Sequence, residues 1–161
     1  MRDLKSMTLE ELTEFVKKLG EKPFRAKQLY QWMHVKLAES LDECTNLPKS
    51  LKEKLSEYST YTSLKTVKML ESGIDGTRKY LFGLDDGNVI ESVLMKYHHG
   101  NSVCISSQVG CRMGCRFCAS TLDGLERNLR PSEMLEQIYR IQSITGERVS
   151  NVVVMGSGEP M

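Results

Sequence analysis

The sequence predicts a mixed α/β protein: a small all-helical front, an antiparallel β-meander, and a strand–helix–strand unit that opens a parallel sheet. Three observations carry this. Apolar residues recur at helical spacing as far as Tyr58, alternate with polar ones from Ser63, and fill two strand runs that flank a long helical stretch after Pro131. The expected domains are 1–62 (helical), 63–100 (meander) and 101–161 (a first βαβ unit).

Thr8 to Leu19 reads as the first helix. Thr8 and Glu11 form an S/T-x-x-E capping box, each side chain bonding the other residue's free backbone N–H. Leu9, Leu12, Phe15, Val16 and Leu19 share one face, and Gly20 supplies the stop. Pro23 suits the first turn of a second helix, where its missing N–H costs nothing; Phe24, Leu29, Trp32 and Met33 form its expected apolar side. A third helix follows Pro48, with Leu51, Leu55 and Tyr58 expected to face inward.

Three β-rich runs follow: Leu64 to Glu71, Arg78 to Leu84 and Val89 to Tyr97. Gly73-Ile74-Asp75-Gly76 and Asp85-Asp86-Gly87-Asn88 separate them, rich in the Gly, Asp and Asn that tolerate positive φ in hairpin turns.

Ser102 to Ser107 then reads as a strand, followed by a cysteine-rich loop. Pro131 to Thr145 reads as a helix with Met134, Leu135, Ile138, Ile141 and Ile144 as its buried stripe, ended by Gly146. Asn151 to Met155 is wholly apolar after its first residue, as expected of a parallel strand buried on both faces. Strand, helix, strand implies a right-handed crossover. One such unit neither closes a barrel nor covers both sheet faces, so the fold is expected to continue beyond Met161.

The chain has 161 residues, 40% apolar and 27% charged, the balance of a soluble globular protein. Its longest aliphatic stretch, Val152 to Met155, is too short to span a bilayer, and the first five residues lack the apolar core of a secretion signal. Cytoplasmic residence without a membrane partner is expected. The net charge of +1 does not announce a nucleic-acid binder. Locally, Lys17, Lys18, Lys22, Arg25, Lys27 and Lys36 face the single anion Glu21, and Arg112, Arg116, Arg127 and Arg130 surround the cysteines. Either group reads as a phosphate contact or as a solvated face.

Five cysteines without a secretion signal are read as reduced thiols, not a disulfide framework. Cys44 is read as structural. The other four fall between 104 and 118, and Cys111, Cys115 and Cys118 have C-x3-C-x2-C spacing. Three thiolates so close can wrap one compact metal centre, with Gly110 and Gly114 letting the backbone fold tightly. Structural zinc normally takes four ligands. Three ligands on a four-iron cluster leave one iron open for substrate. Zinc completed by Cys104, His98 or His99 is the alternative, as are three unliganded thiols. The placement favours the cluster: the loop leaves the C-terminal end of a strand, where α/β enzymes build their sites. Phe117 stands where it can pack on a bound adenine. Alone, Glu91 reads as a solvent-facing strand residue and Cys104 as a small buried apolar one.

Cys-x3-Cys-x-Phe-Cys followed by a Gly-Glu-Pro loop resembles the radical-SAM superfamily. Cys104-Ile105-Ser106-Ser107-Gln108-Val109-Gly110-Cys111, Arg127-Asn128-Leu129 and Val154-Met155-Gly156-Ser157-Gly158-Glu159-Pro160 resemble one family within it, the RlmN-type dual-specificity RNA methyltransferases. Leu19 to Ala26 followed by Trp32-Met33 is similar to that family's helical accessory domain. The resemblance covers essentially the whole chain, but only about the first half of a full family member. It implies a helix-hairpin-helix-like domain, then a partial (β/α) barrel cut after its second strand.

The resemblance also implies chemistry. Such enzymes methylate C2 of an adenine in 23S rRNA and in certain tRNAs, using a [4Fe–4S] cluster and two S-adenosylmethionine (SAM) molecules per turnover. Cys111, Cys115 and Cys118 would ligate the cluster, and Gly158 and Glu159 would bind SAM. Cys104 would resolve a protein–RNA adduct, and Glu91 would accept a proton. The methyl-carrying cysteine would lie beyond this chain, so residues 1–161 alone are expected to be inactive. An electron donor of flavodoxin type and a monomeric state are expected. Ser157 departs from the Met common in the family. A relative that methylates C8 has Gly-Glu-Ala where this chain has Gly158-Glu159-Pro160, which favours C2. A metal-stabilised RNA-binding module without catalysis is the reading from another class.

Overall fold

The computed structural model describes residues 1–160. The chain is mixed α/β and divides into two compact units, Met1–Ser63 and the part from Leu64.

The first unit holds β1 (Arg2–Asp3), α1 (Leu9–Lys18), α2 (Phe24–His34), α3 (Lys49–Tyr58) and β2 (Ser59–Thr60). β1 pairs in parallel with β2, tying the two ends of the unit together. The Thr8–Glu11 capping box forms, with Thr8 N to Glu11 Oε2 at 2.9 Å and Glu11 N to Thr8 Oγ1 at 3.2 Å. Leu12, Val16, Ala26, Leu29, Met33, Leu51 and Leu55 are sealed from solvent. Each such leucine contributes roughly 2 kcal/mol by leaving water. Two expected core residues are not there: Phe24 is 47% exposed and Tyr58 53%. Both sit at helix ends, where the apolar stripe has already turned past the core; Phe24 instead lies under the Arg25 guanidinium.

The second unit contains β3 (Lys65–Glu71), β4 (Arg78–Gly83), β5 (Val89–Tyr97), β6 (Gly100–Cys104), β7 (Gln108–Gly110), β8 (Leu125–Asn128), α4 (Pro131–Thr145) and β9 (Val149–Val153). One five-stranded sheet has the order β3-β4-β5-β6-β9, antiparallel except for the parallel pair β6–β9. α4 connects that pair. Tyr80, Phe82, Ile90, Leu94 and Val103 line the face that packs with Ile141. The strand expected at Ser102–Ser107 begins at Gly100 and ends at Cys104. After three intervening residues the chain starts β7, which pairs antiparallel with β8 and encloses the cysteine loop.

Two expectations fail for one reason, the company each element keeps. β9 is not buried on both faces: Val152, Val153 and Val154 are 36–43% exposed and Met155 79%. Within the described residues β9 is an edge strand with β6 as its sole neighbour. α4 does bury Ile141, but Ile144 is 47% exposed, whereas Ser132, Glu133, Glu136 and Gln137 are buried. Glu136 and Gln137 are matched by distant partners, such as Leu64 N to Glu136 Oε2 at 3.3 Å, and Glu133 by Arg127 and Arg130.

Candidate functional site

β6 and β9 run side by side, so the loops leaving their C-terminal ends meet. Ile105 N donates to Val153 O at 2.9 Å, Gly156 N to Ile105 O at 3.0 Å and Ser107 N to Ser157 O at 2.9 Å. This stitches the approach to the cysteine loop onto the Gly156–Pro160 loop. The contact demands glycine: a Cβ on Gly156 would lie 2.7 Å from Ser106 Oγ, and one on Gly158 (φ +110°) 2.7 Å from Ser107 Oγ and from Gln108. Glu159 N donates to Gln108 Oε1 at 2.9 Å, and the Glu159 side chain is exposed.

The cysteine loop hangs between β7 and β8. At its root Cys111 N donates to Gly124 O at 2.9 Å, and a Cβ on Gly110 (φ +73°) would overlap that same carbonyl oxygen. Cys118 N donates to Cys115 O at 3.0 Å, a turn that Thr121 Oγ1 braces through the Cys118 carbonyl at 2.9 Å. All five cysteines are free thiols: Cys111 is buried, Cys118 half-buried and Cys115 exposed. Among the described residues no three Cys, His, Asp or Glu side chains converge on a point that could hold a metal ion. The three thiols therefore share one loop without closing on one centre. His98 and His99 precede β6, whose far end carries Cys104, so the strand separates the extra ligands imagined for zinc. The donor set itself, three thiols on a short loop with open space around Gly114, fits a soft-metal cluster in kind. Phe117 is 94% exposed on this loop.

Glu91 and Cys104 lie on the sheet face opposite α4. Cys104 is paired with Val93, two residues from Glu91 on the same face, while the intervening Ser92 points to α4 and bonds Gln137 Oε1 at 2.8 Å. Cys104 is half-buried. The Glu91 carboxylate is exposed and carries an ion pair to Lys79 Nζ at 2.8 Å. A depression of about 300 Å³, which neither Glu91 nor Cys104 lines, is bounded by Val89, Val109, Gly110, Ser120, Gly124 and Ser157 among others.

Beneath the loop, Arg127 and Arg130 both reach Glu133, and Arg127 also reaches Asp86 in the β4–β5 turn. Burial alone would raise the Glu133 carboxyl, but hydrogen bonds from Arg127 and Arg130 outweigh it and hold the group below its ordinary value. These two arginines, read from sequence as a phosphate contact or a solvated face, are thus engaged within the protein. Sequence reasoning also missed Ser106 and Gln137, which join the two loops to α4. A signal existed: Gln137 stands four residues before Ile141, on the buried stripe, where a polar residue must find partners.

Residues 2–60 match the family described as the ribosomal RNA large subunit methyltransferase N-terminal domain. The probable dual-specificity RNA methyltransferase RlmN of Lachnospira eligens is 71% identical over 161 residues, all of this chain and 46% of that protein. Its namesake in Lachnoclostridium phytofermentans is 63% identical over 159 residues, 99% of this chain and 45% of that one. The crystal structure of a radical SAM methyltransferase from Sphaerobacter thermophilus superposes with a TM-score of 0.91 at 40% identity, over 99% of this chain and 48% of that one. The fold is that of the matching half of a radical SAM methyltransferase. Within it, residues 2–60 match the RlmN-type N-terminal domain, and the whole chain is similar to the N-terminal portion of RlmN-type proteins. It spans about half the length of the curated relatives it matches.

Proposed function

We propose that this chain is the part of an RNA adenine-C2 methyltransferase that holds the radical-generating centre. The observation that carries the reading is the stitching of the cysteine-loop approach to the Gly156–Pro160 loop at the ends of two parallel strands. That arrangement sets three thiols and a glycine-lined loop beside each other, as SAM bound to an incompletely ligated cluster requires.

Cys111, Cys115 and Cys118 would hold a [4Fe–4S] cluster, which when bound supplies the electron that cleaves the SAM sulfonium. The chain's own residues do the rest by placement. Gly158 lets the backbone approach SAM, and Glu159 presents an exposed carboxylate beside it; Phe117, free in solvent, is available to cover the adenine. Glu91 and Cys104 face the same side of the sheet, so a base and a thiol reach one bound nucleotide. Glu91 accepts the proton lost from the modified carbon, and Cys104 resolves the covalent adduct to a methyl-carrying cysteine outside residues 1–161. The RNA adenine is unpaired or flipped out, because C2 is buried in a stacked duplex. The proposed setting is a cytoplasmic monomer served by a flavodoxin-type reductant, with 23S rRNA and tRNA as substrates.

The test is anaerobic reconstitution of the intact protein with iron and sulfide, then incubation with ribosomal RNA, SAM and reductant. The expected result is a brown, oxygen-sensitive protein and 2-methyladenine by mass spectrometry of the digested RNA. 8-Methyladenine would assign the relative's specificity instead. One zinc per chain and no sulfide would support the non-catalytic binding module.

A further inference from the structure

We infer that two buried glutamines, Gln137 and Gln108, are positioning residues for the SAM-binding loop, holding it on either side of Gly158. The inference rests on the assignment of Gly158 and Glu159 to SAM.

Gln137 is fully buried on α4. Its Oε1 accepts from Ser106 N and from Ser92 Oγ, both at 2.8 Å. Its Nε2 donates to Ser106 O at 2.9 Å and to Glu133 O at 3.2 Å. Every hydrogen-bonding capacity of the amide is used. Two of these bonds grip the backbone of Ser106 as a neighbouring strand would, just where β6 has ended. Ser106, fully buried, turns its hydroxyl to the active side: Oγ donates to Glu91 O at 2.7 Å and accepts from Ser157 N at 3.0 Å. One helix side chain is thereby linked to the SAM loop and to the backbone of the proposed proton acceptor.

Gln108 acts from the other flank. It is 4% exposed; its Oε1 accepts from Glu159 N at 2.9 Å and its Nε2 donates to Asn128 Oδ1 on β8 at 2.8 Å. The amides of Gly156, Ser157 and Glu159 are thus all held by the exit of β6 or by β7. That of Gly158 has no partner among the described residues and is left for a ligand. A loop held at three of four amides keeps its shape when empty, so binding SAM need not order it.

Such a network is worth more than surface contacts, because removing one member leaves buried groups unpaired. The experiment uses the intact, anaerobically reconstituted protein and three variants: Ser106→Ala, Gln137→Glu and Ser92→Ala. Hydrogen exchange of the 156–159 segment is measured without SAM, and the SAM dissociation constant by equilibrium dialysis, with iron content and thermal midpoint recorded for each. Ser106→Ala removes the bond to Ser157 N. It should speed exchange at Ser157 about tenfold and weaken SAM at least fivefold, with iron retained. Gln137→Glu keeps the acceptors but loses both Nε2 donations; it should move both readouts in the same direction, and it carries the test if Ser106→Ala does not fold. Ser92→Ala also breaks a buried bond to Gln137 but leaves Ser106 gripped, so SAM affinity should stay within twofold of wild type. Unchanged exchange in both Ser106→Ala and Gln137→Glu, or faster exchange with unchanged SAM affinity, overturns the inference. So does an equal loss of affinity in Ser92→Ala, which would make the effect one of general stability. If wild-type protein binds no SAM, the functional assignment of the loop fails instead, and exchange still reports whether the network holds it.

Discussion

Arg127 clamps Glu133 with two parallel hydrogen bonds, Nη1 to Oε2 at 2.9 Å and Nη2 to Oε1 at 3.0 Å, on a carboxylate that is 1% exposed. Arg130 adds its Nη2 at 2.9 Å and its backbone N–H at 2.7 Å to the same group. Arg127 in turn reaches back to Asp86 with Nε at 2.6 Å. The cluster joins the start of α4, β8 and the β4–β5 turn around the base of the cysteine loop. Arg127→Met should therefore destabilise the second unit by about 3 kcal/mol, because a buried carboxylate loses its bidentate partner. Urea unfolding followed by exchange of the 125–141 segment measures this.

Acid should release the same cluster. The Glu133 carboxyl is held below the ordinary glutamate value of about 4.5. A group depressed in the folded state contributes stability that is present above its unfolded value and lost as pH falls through the folded one. Stability should thus decline as pH drops below about 4.5. In Glu133→Gln that part of the acid dependence should vanish, at the cost of lower stability at neutral pH. Thermal midpoints of the two proteins from pH 3 to 7 provide the comparison; parallel curves would contradict the assignment.

Gly110→Ala should be far more damaging than an exposed glycine change. Its φ is +73°, and the new methyl would overlap the Gly124 carbonyl that receives Cys111 N. Relief requires β7 and β8 to separate, with loss of about 2 kcal/mol or more and poor iron uptake on reconstitution. Gly114→Ala, at φ +67°, bears similar backbone strain but meets no neighbouring atom, so it should keep more iron than Gly110→Ala. Iron and sulfide analysis of the pair distinguishes them.

Lys79 and Glu91 form an exposed pair, so breaking it should alter stability by less than about 1 kcal/mol. Glu91→Gln should nevertheless lower methyl transfer at least a hundredfold if the carboxylate takes the proton. Unimpaired turnover in Glu91→Gln would remove it from the mechanism.

The thiols should differ in reactivity before any metal is added. Burial pushes the Cys44 thiol up to about 11, and the residue has no exposed surface. Cys115 is exposed. Brief iodoacetamide treatment of metal-free protein should label Cys115 and spare Cys44, as read by peptide mass spectrometry.

Much of this was legible in the sequence where the controlling interactions are local. The Thr8–Glu11 box spans three residues and forms as expected. The alternation of β4 and β5 places Tyr80, Phe82, Ile90 and Leu94 on one face, and the Asp-Gly-Asn turn between them has the residues such turns require. The cysteine spacing marked the candidate loop. The resemblance pointed to the relatives that align over the whole chain. The polar face of α4 was hidden. Helical periodicity ranks residues by hydropathy, so it favoured Ile144 and passed over Glu133, Glu136 and Gln137.

By itself, then, the sequence determined the main helices, the strands of the meander and where they turn, and which residues are candidates for the chemistry, because capping, alternation and glycine geometry act within a few residues. Only the tertiary structure decided that β7 and β8 frame the cysteine loop, that Glu91 and Cys104 share a face, and that Gln137 meets Ser106 thirty-one residues away. A buried polar group is stable only beside its partner, and which groups become neighbours is settled when the strands assemble into a sheet, not by any spacing along the chain.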